Sequence, residues 1–168
     1  MGGKEGLFAF ACTTVAKVCS ILNKFKKLGV VHRQISASSI RVQERSQVWK
    51  FHSLDEFDLA IVLKKKDHRV TQKIHSTRLT YLAPEIQNGE PHDFKADIWA
   101  LGQVAYQIMS QQGAASGPIF DVNDPNALWR DDVPEEYKEL VGFMISEDPS
   151  ARLAASKIAQ HPLIVQFK

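Results

Sequence analysis

Apolar residues recur at three- and four-residue steps from Leu7 through Ala11, Val15, Val18 and Leu22 to Phe25. That spacing lines one face of a long helix, and Gly29 supplies its stop. The runs "GVV", "SIRV" and "VWKF" follow, and their β-branched and aromatic residues favour extended backbone. The polar "QERSQ" between the last two predicts a small hairpin. "FKADIWALGQVAYQIM" is apolar on nearly every side, which predicts a helix enclosed in the middle of a domain. Later, Pro134 suits a first helical turn with Glu135 and Glu136 at its positive end, and Tyr137, Leu140, Val141 and Met144 form the stripe to be buried. "AASKIAQ" predicts a last short helix stopping at His161-Pro162. Between these elements, "LKKKDHRVTQKIHSTR" has no clear period and reads as a long exposed loop, and "QQGAASGP" reads as a linker into an irregular stretch holding Pro118 and Pro125.

Composition narrows this mainly α picture only a little. A chain of 168 residues suits one domain, and 44% hydrophobic with 24% charged residues argues against disorder or a fibrous protein. Lys plus Arg exceed Asp plus Glu by 21 to 19, too small a balance for general nucleic-acid binding. Cys12 and Cys19 lie seven apart on one helix face, too far along it to bond, so reduced thiols in a cytoplasmic or nuclear compartment are expected. No apolar run is read as membrane-spanning, and "MGGKEGLFAF" lacks the order of a secretory signal. Gly6 stands where a myristoylation motif wants Ser or Thr, so residues 1–6 are expected to be a disordered start or a cloning remnant. His52, His68, His75 and His92 have no metal spacing and read as surface or loop histidines.

Several separated motifs, in order, carry chemistry. "HRQISASS" resembles the H-R-D-L-x-x-x-N catalytic loop of protein kinases, "TYLAPE" resembles their A-P-E segment, "DIWALG" resembles the start of their central buried helix, and "DPSAR" resembles their closing Arg motif. The resemblance runs from about Leu7 to Leu163 and implies one domain over residues 1–168. The implied fold is a protein-kinase-like C-lobe, a helical bundle around a central buried helix with a small β-hairpin, with the small lobe absent. Kept positions are structural by this resemblance: His32 and Arg33 of the loop, Pro84 and Glu85, Asp97, Trp99 and Gly102 of the central helix, and Arg152 as the partner of Glu85.

Positions that would transfer phosphate depart from the pattern. Gln34 stands where kinases carry the Asp that accepts the substrate proton, and an amide cannot take a proton near neutral pH. Ser36 replaces the usual Lys, Ser39 the metal-holding Asn, and Arg78 the Thr that would bond that Asp and Lys. For the D-F-G motif, Ser53-Leu54-Asp55 keeps the strand-to-motif spacing and is the preferred register; Glu56-Phe57-Asp58 is the other. No Gly-rich loop or strand lysine precedes "HRQ".

The expectation is a pseudokinase-like chain that is not an enzyme, takes no cofactor or metal, and acts by protein binding as a scaffold, an allosteric regulator or a decoy. Its partner would be an active kinase or a kinase substrate, with no specific nucleic acid and no membrane span. The alternative is a fragment of a longer kinase with weak or atypical nucleotide binding. Lys64, Lys65, Lys66, Arg69, Lys73 and Arg78 form a possible interaction loop, and Thr71, Ser76 and Thr77 near Arg33 leave a phospho-switch conceivable.

Overall fold

The computed structural model describes residues 4–45, 48–64, 69–74, 81–111 and 128–167. The apolar stripe becomes α1 (Lys4–Leu28), which starts inside the stretch expected to be disordered. Ala11, Cys12, Val15, Val18, Cys19 and Leu22 are buried along it. Gly29 ends the helix with φ +76°, a left-handed conformation; a Cβ there would lie 3.0 Å from the Leu63 carbonyl oxygen, so only glycine fits comfortably. Gly6–Leu28 is long and apolar enough to cross a membrane by length and composition, contrary to expectation, but its inner face is part of the core.

Among the described residues, the short strands form three two-stranded antiparallel pairs. β1 (Val30–Val31) does not join the hairpin; it pairs with β4 (Ile61–Val62), brought back by a Leu63 N–H to Gly29 O bond of 2.8 Å. The hairpin is β2 (Ile40–Arg45) with β3 (Val48–Leu54), and its register shifts between Arg41 and Val42. β5 (Val70–Thr71) pairs with β6 (Pro91–His92), so the polar segment is partly tied down rather than one free loop. Two-residue strands are too short to show alternation in a sequence, which is why β4 and β5 escaped the periodicity argument.

α2 (Pro84–Gln87) precedes β6, and α3 (Lys95–Met109) is buried on all sides as its composition predicts. It packs against α1 and α4 (Glu135–Met144). α4 buries Tyr137, Leu140, Val141 and Met144, the predicted stripe, with Pro134 just before the first turn. The Tyr137 hydroxyl donates to the Ala105 carbonyl across this contact at 3.1 Å. α5 (Ala155–Ile158) and α6 (Pro162–Val165) close the bundle against α1. Pro118 and Pro125 lie outside the described residues.

Gly102 sets the α3–α4 approach. A Cβ on it would meet Ile145 Cγ2 at 2.6 Å and Met144 Cβ at 2.9 Å, closer than real carbon contacts. Overpacking of this kind costs roughly 1–3 kcal/mol, against a gain in helix propensity of about 1 kcal/mol. Gly102→Ala is therefore expected to lower the midpoint of thermal unfolding; a variant melting at or above the wild-type temperature would contradict this close approach.

Candidate functional site

Asp97 stands in the first turn of α3, where the helix dipole favours a negative charge. Its carboxylate reaches the loop after β1: Oδ2 accepts the His32 backbone N–H and Oδ1 the Arg33 backbone N–H, each at 2.8 Å. Burial raises the pKa of this acid to about 6, while the two backbone donors and the Arg33 charge pull it back down. Arg33 takes a left-handed φ of 63°. Its Nε donates to the Leu59 carbonyl at 2.6 Å and its Nη1 to Gln72 Oε1 at 2.9 Å. Arg33 thus ties the loop to the segments on either side of β4 and β5.

The His32 ring lies wholly buried below the loop. Its Nδ1 accepts the Gln34 N–H at 3.2 Å, so Nε2 carries the proton and donates to the Asp55 carbonyl at 3.0 Å. Desolvation holds its pKa below 6.5, in keeping with a neutral ring. Phe57 packs on this ring at 4.6 Å between centroids, and Phe25 of α1 lies 6.4 Å from the ring and 5.7 Å from Phe57. This aromatic stack was not foreseen. The only sequence signal for it was the "F" of "EFDLA".

The loop serines hold one another. Ser36 N donates to Ser39 Oγ at 2.9 Å, Ser39 Oγ donates to the Ser36 carbonyl at 3.0 Å, and the Ser36 and Ser38 hydroxyls lie 2.9 Å apart. Such hydroxyl-to-backbone bonds build a turn without help from elsewhere, and the S-x-x-S spacing was a usable signal for it. Ser39 is therefore committed to the turn. Gln34 Oε1 is buried with no hydrogen-bond partner among the described residues.

The preferred register for the acidic motif is not the arrangement observed. Ser53 is still within β3, opposite Arg41, and its hydroxyl donates to Asp55 Oδ1 at 2.9 Å. Asp55 in turn pairs with Arg41 at 2.9 Å on the surface. The carboxylate that faces the serine turn is Glu56, whose Oε2 lies 3.4 Å from Ser38 Oγ. The reason is geometric: the hairpin absorbs its irregularity between Arg41 and Val42, and a left-handed φ of 64° at Glu56 turns the chain so that Phe57 drops onto His32.

A second buried anchor joins α2 to the segment before α5. Arg152, 1% exposed, grips Glu85 with both terminal nitrogens, Nη1 to Oε1 at 2.6 Å and Nη2 to Oε2 at 2.8 Å. Its other donors go to the carbonyls of Ser146, Lys95 and Glu147 at 2.7, 3.1 and 3.3 Å. All five N–H groups of the guanidinium are thereby used, and its carbon sits 5.0 Å from the Trp99 ring centroid. Lys95 Nζ donates to the Arg152 carbonyl, closing the link to α3.

Of the basic loop, Lys64, Arg69 and Lys73 are exposed, whereas Lys65, Lys66 and Arg78 lie outside the described residues, as do Ser76 and Thr77. His92 is buried rather than superficial, because the β5–β6 pair encloses it; its Nδ1 faces the Glu90 carbonyl at 3.1 Å. Among the described residues, no group of three His, Cys, Asp or Glu could hold a metal ion. Away from the serine turn, a cavity of about 220 Å³ opens between Leu22 and Lys26 of α1, the start of α3 and Ala154–Ala155.

The model of the protein kinase domain matches residues 9–164. The chain belongs to the protein kinase domain family. Among similar proteins, the ribosomal protein S6 kinase 2 alpha of Gallus gallus is 27% identical over 93% of this chain and 22% of its own length. The serine/threonine-protein kinase DCLK1 of Rattus norvegicus is 27% identical over 88% of this chain and 35% of its own length. The calcium/calmodulin-dependent protein kinase type II alpha chain of Drosophila melanogaster is 26% identical over 94% and 31%. The kinase-domain chain thus spans about a fifth to a third of these relatives.

These matches overturn the expectation that the chain is not an enzyme. That expectation rested on a few exchanged positions and on the missing small lobe, but the family and the relatives named as kinases point to an enzyme. Exchanges at Gln34 and Ser39 report on single steps of the chemistry. The absent Gly-rich loop carries no weight in a chain spanning so little of its relatives.

Removing Arg152 would leave Glu85 buried without its cation. Arg152→Ala is expected to cost roughly 3–5 kcal/mol of unfolding free energy, measured by denaturant titration; a loss near zero would show that the pair carries no stability. Asp97 makes a separate prediction. Because its folded pKa of about 6 lies above its ordinary 3.8, its contribution is fully present at low pH and is lost as pH rises through about 6. The difference in stability between wild type and Asp97→Asn should therefore be larger at pH 4 than at pH 7. A flat difference would remove the buried-acid account.

Proposed function

We propose that this chain is the large, helical lobe of a serine/threonine-kinase-type domain within a longer protein, and that it works in a phosphorylation pathway by presenting a kinase-like loop to protein substrates and partners. The observation that carries this reading is the placement of Glu56-Phe57-Asp58: Phe57 packs on His32 and the Glu56 carboxylate faces the Ser36–Ser39 turn. In that register Glu56 stands at the position of the metal-holding Asp of D-F-G. One carboxylate is a fit for a magnesium ion that takes most of its ligands from water and nucleotide phosphates, whereas it is too few for an all-protein cage. When bound, the nucleotide supplies the phosphoryl group to be transferred.

The chain's own residues then do the following. Asp97 fixes the loop backbone through His32 and Arg33, the serine turn sets the loop's far end, and Glu56 faces it across 3.4 Å. Gln34 holds a buried amide oxygen, without a partner among the described residues, near where kinases hold their base, and it can accept a hydrogen bond from a substrate hydroxyl but not its proton. Any phosphotransfer at this loop is therefore slow. Cys12 and Cys19 are buried in α1 and form no disulfide, and burial pushes the Cys12 thiol up to about 12. This supports a reducing cytoplasmic or nuclear setting.

A second reading adds regulation of the pathway through protein binding, as scaffold, allosteric partner of an active kinase or decoy. It is favoured by Gln34 and by Ser39, whose hydroxyl is spent on the turn. Titrating ATP with and without magnesium, on wild type, Glu56→Gln and Gln34→Asp, separates the two. The first reading expects magnesium-dependent stabilisation by ATP, with a Kd of about 1 mM or tighter, worth about −4 kcal/mol. That effect should disappear in Glu56→Gln, while Gln34→Asp should raise phosphotransfer by about 10²–10⁴-fold. No magnesium-dependent effect in wild type, together with no gain in Gln34→Asp, overturns the first reading.

A further inference from the structure

Between Glu5 and Glu44 the chain has no acidic residue, yet it carries Lys17, Lys24, Lys26, Lys27, Arg33 and Arg41. Arg33 is buried on the loop, but the lysines lie on α1, whose inner face is packed into the core. Helical spacing places Lys17, Ser20, Lys24, Lys27 and Leu28 along the opposite face, and all of them are exposed. The stripe is about 16 Å long at 1.5 Å per residue. No ion pair is formed by Lys17, Lys24 or Lys27 among the described residues.

The end of this stripe is apolar. Leu28 and Val62 are each 70% exposed, the highest values for large hydrophobic side chains among the described residues. The Leu63-to-Gly29 backbone bond and the Val30–Val62 pairing hold them beside each other, and the exposed Lys64 follows directly. Two aliphatic side chains at the tip of a lysine-lined helix face form a surface with two separate affinities, one for negative charge and one for hydrocarbon.

We propose that the outer face of α1, from Lys17 to Leu28, together with Val62 and Lys64, docks on an anionic lipid surface. Lysines within a Debye length of such a surface are attracted to it, and the attraction is screened by salt. The aliphatic tip enters the headgroup boundary, which a polyanion such as RNA or an acidic peptide would not offer. The helix lies on the membrane and does not cross it, because its other face is occupied by α3, α5 and α6. Docked in this way, the lobe would act on phosphorylation partners held at the same surface.

The test is sedimentation of the full chain with vesicles of phosphatidylcholine alone and of phosphatidylcholine with about one third phosphatidylserine, at about 0.1 M and about 0.5 M salt. Binding is expected only to the anionic vesicles, weakening strongly at the higher salt. The double variant Lys24→Glu with Lys27→Glu should lose at least about tenfold in partitioning. Leu28→Ser with Val62→Ser should lose several-fold at both salt concentrations, and unchanged thermal unfolding verifies that each variant is folded. Equal binding to neutral vesicles, or anionic binding untouched by the lysine reversals, overturns the proposal. So does capture of a polyglutamate peptide or RNA without capture of vesicles, which would assign the face to a different polyanion.

Discussion

A single buried carboxylate connects the central helix to the functional loop. Asp97 emerges from the first turn of α3 and accepts two consecutive backbone N–H groups, those of His32 and Arg33. A backbone bonded in this way cannot rotate freely, and so the directions of the His32 ring, the Arg33 guanidinium and the Gln34 amide follow from it. The cost is a carboxylate removed from water, visible in the rise of its pKa to about 6. Two short bonds and a favourable helix end offset that cost.

Arg152 solves a related problem at the same, N-terminal end of α3. Here a full guanidinium is buried, and it is tolerated because every donor has an acceptor and its face lies on Trp99. A buried ion pair of this kind is not necessarily more stable than a packed apolar cluster, but its bonds join α2, α3 and the segment before α5. The two anchors act on different segments, and between them the His32–Ser39 loop and the Pro84–Gln87 helix are held to one scaffold. A kinase-type loop with exchanged chemical groups can keep its place under such constraints.

The membrane-facing proposal and the phosphorylation reading concern different surfaces of the same chain. The serine turn and Glu56 depend on the loop and on β3, whereas the lysine stripe depends on the outer face of α1. Helix α1 serves both, since Phe25 supports His32 from the inside while Lys24 and Lys27 face outward. A long helix with its two faces differently used can thus join a site to a surface without a moving part.

Periodicity and composition were enough for α1, α3 and the buried stripe of α4, because helices of these lengths repeat their pattern several times. Motif order was enough for the Asp97, Glu85 and Arg152 anchors, since each lies in a recognisable short run. What the sequence alone could not decide was register. Two-residue strands show no alternation, so the β1–β4 and β5–β6 pairs had no signal of their own, and a hairpin irregularity can move a motif along the chain without changing a letter of it. Whether Ser53 or Glu56 faced the serine turn depended on the shift at Arg41–Val42 and on one left-handed residue, both set by strand pairing in three dimensions. The uncompensated lysines of residues 6–43 were present in the sequence from the start. Only the packing of α1 decided which of them share a surface, because burial of one helix face leaves the other to solvent.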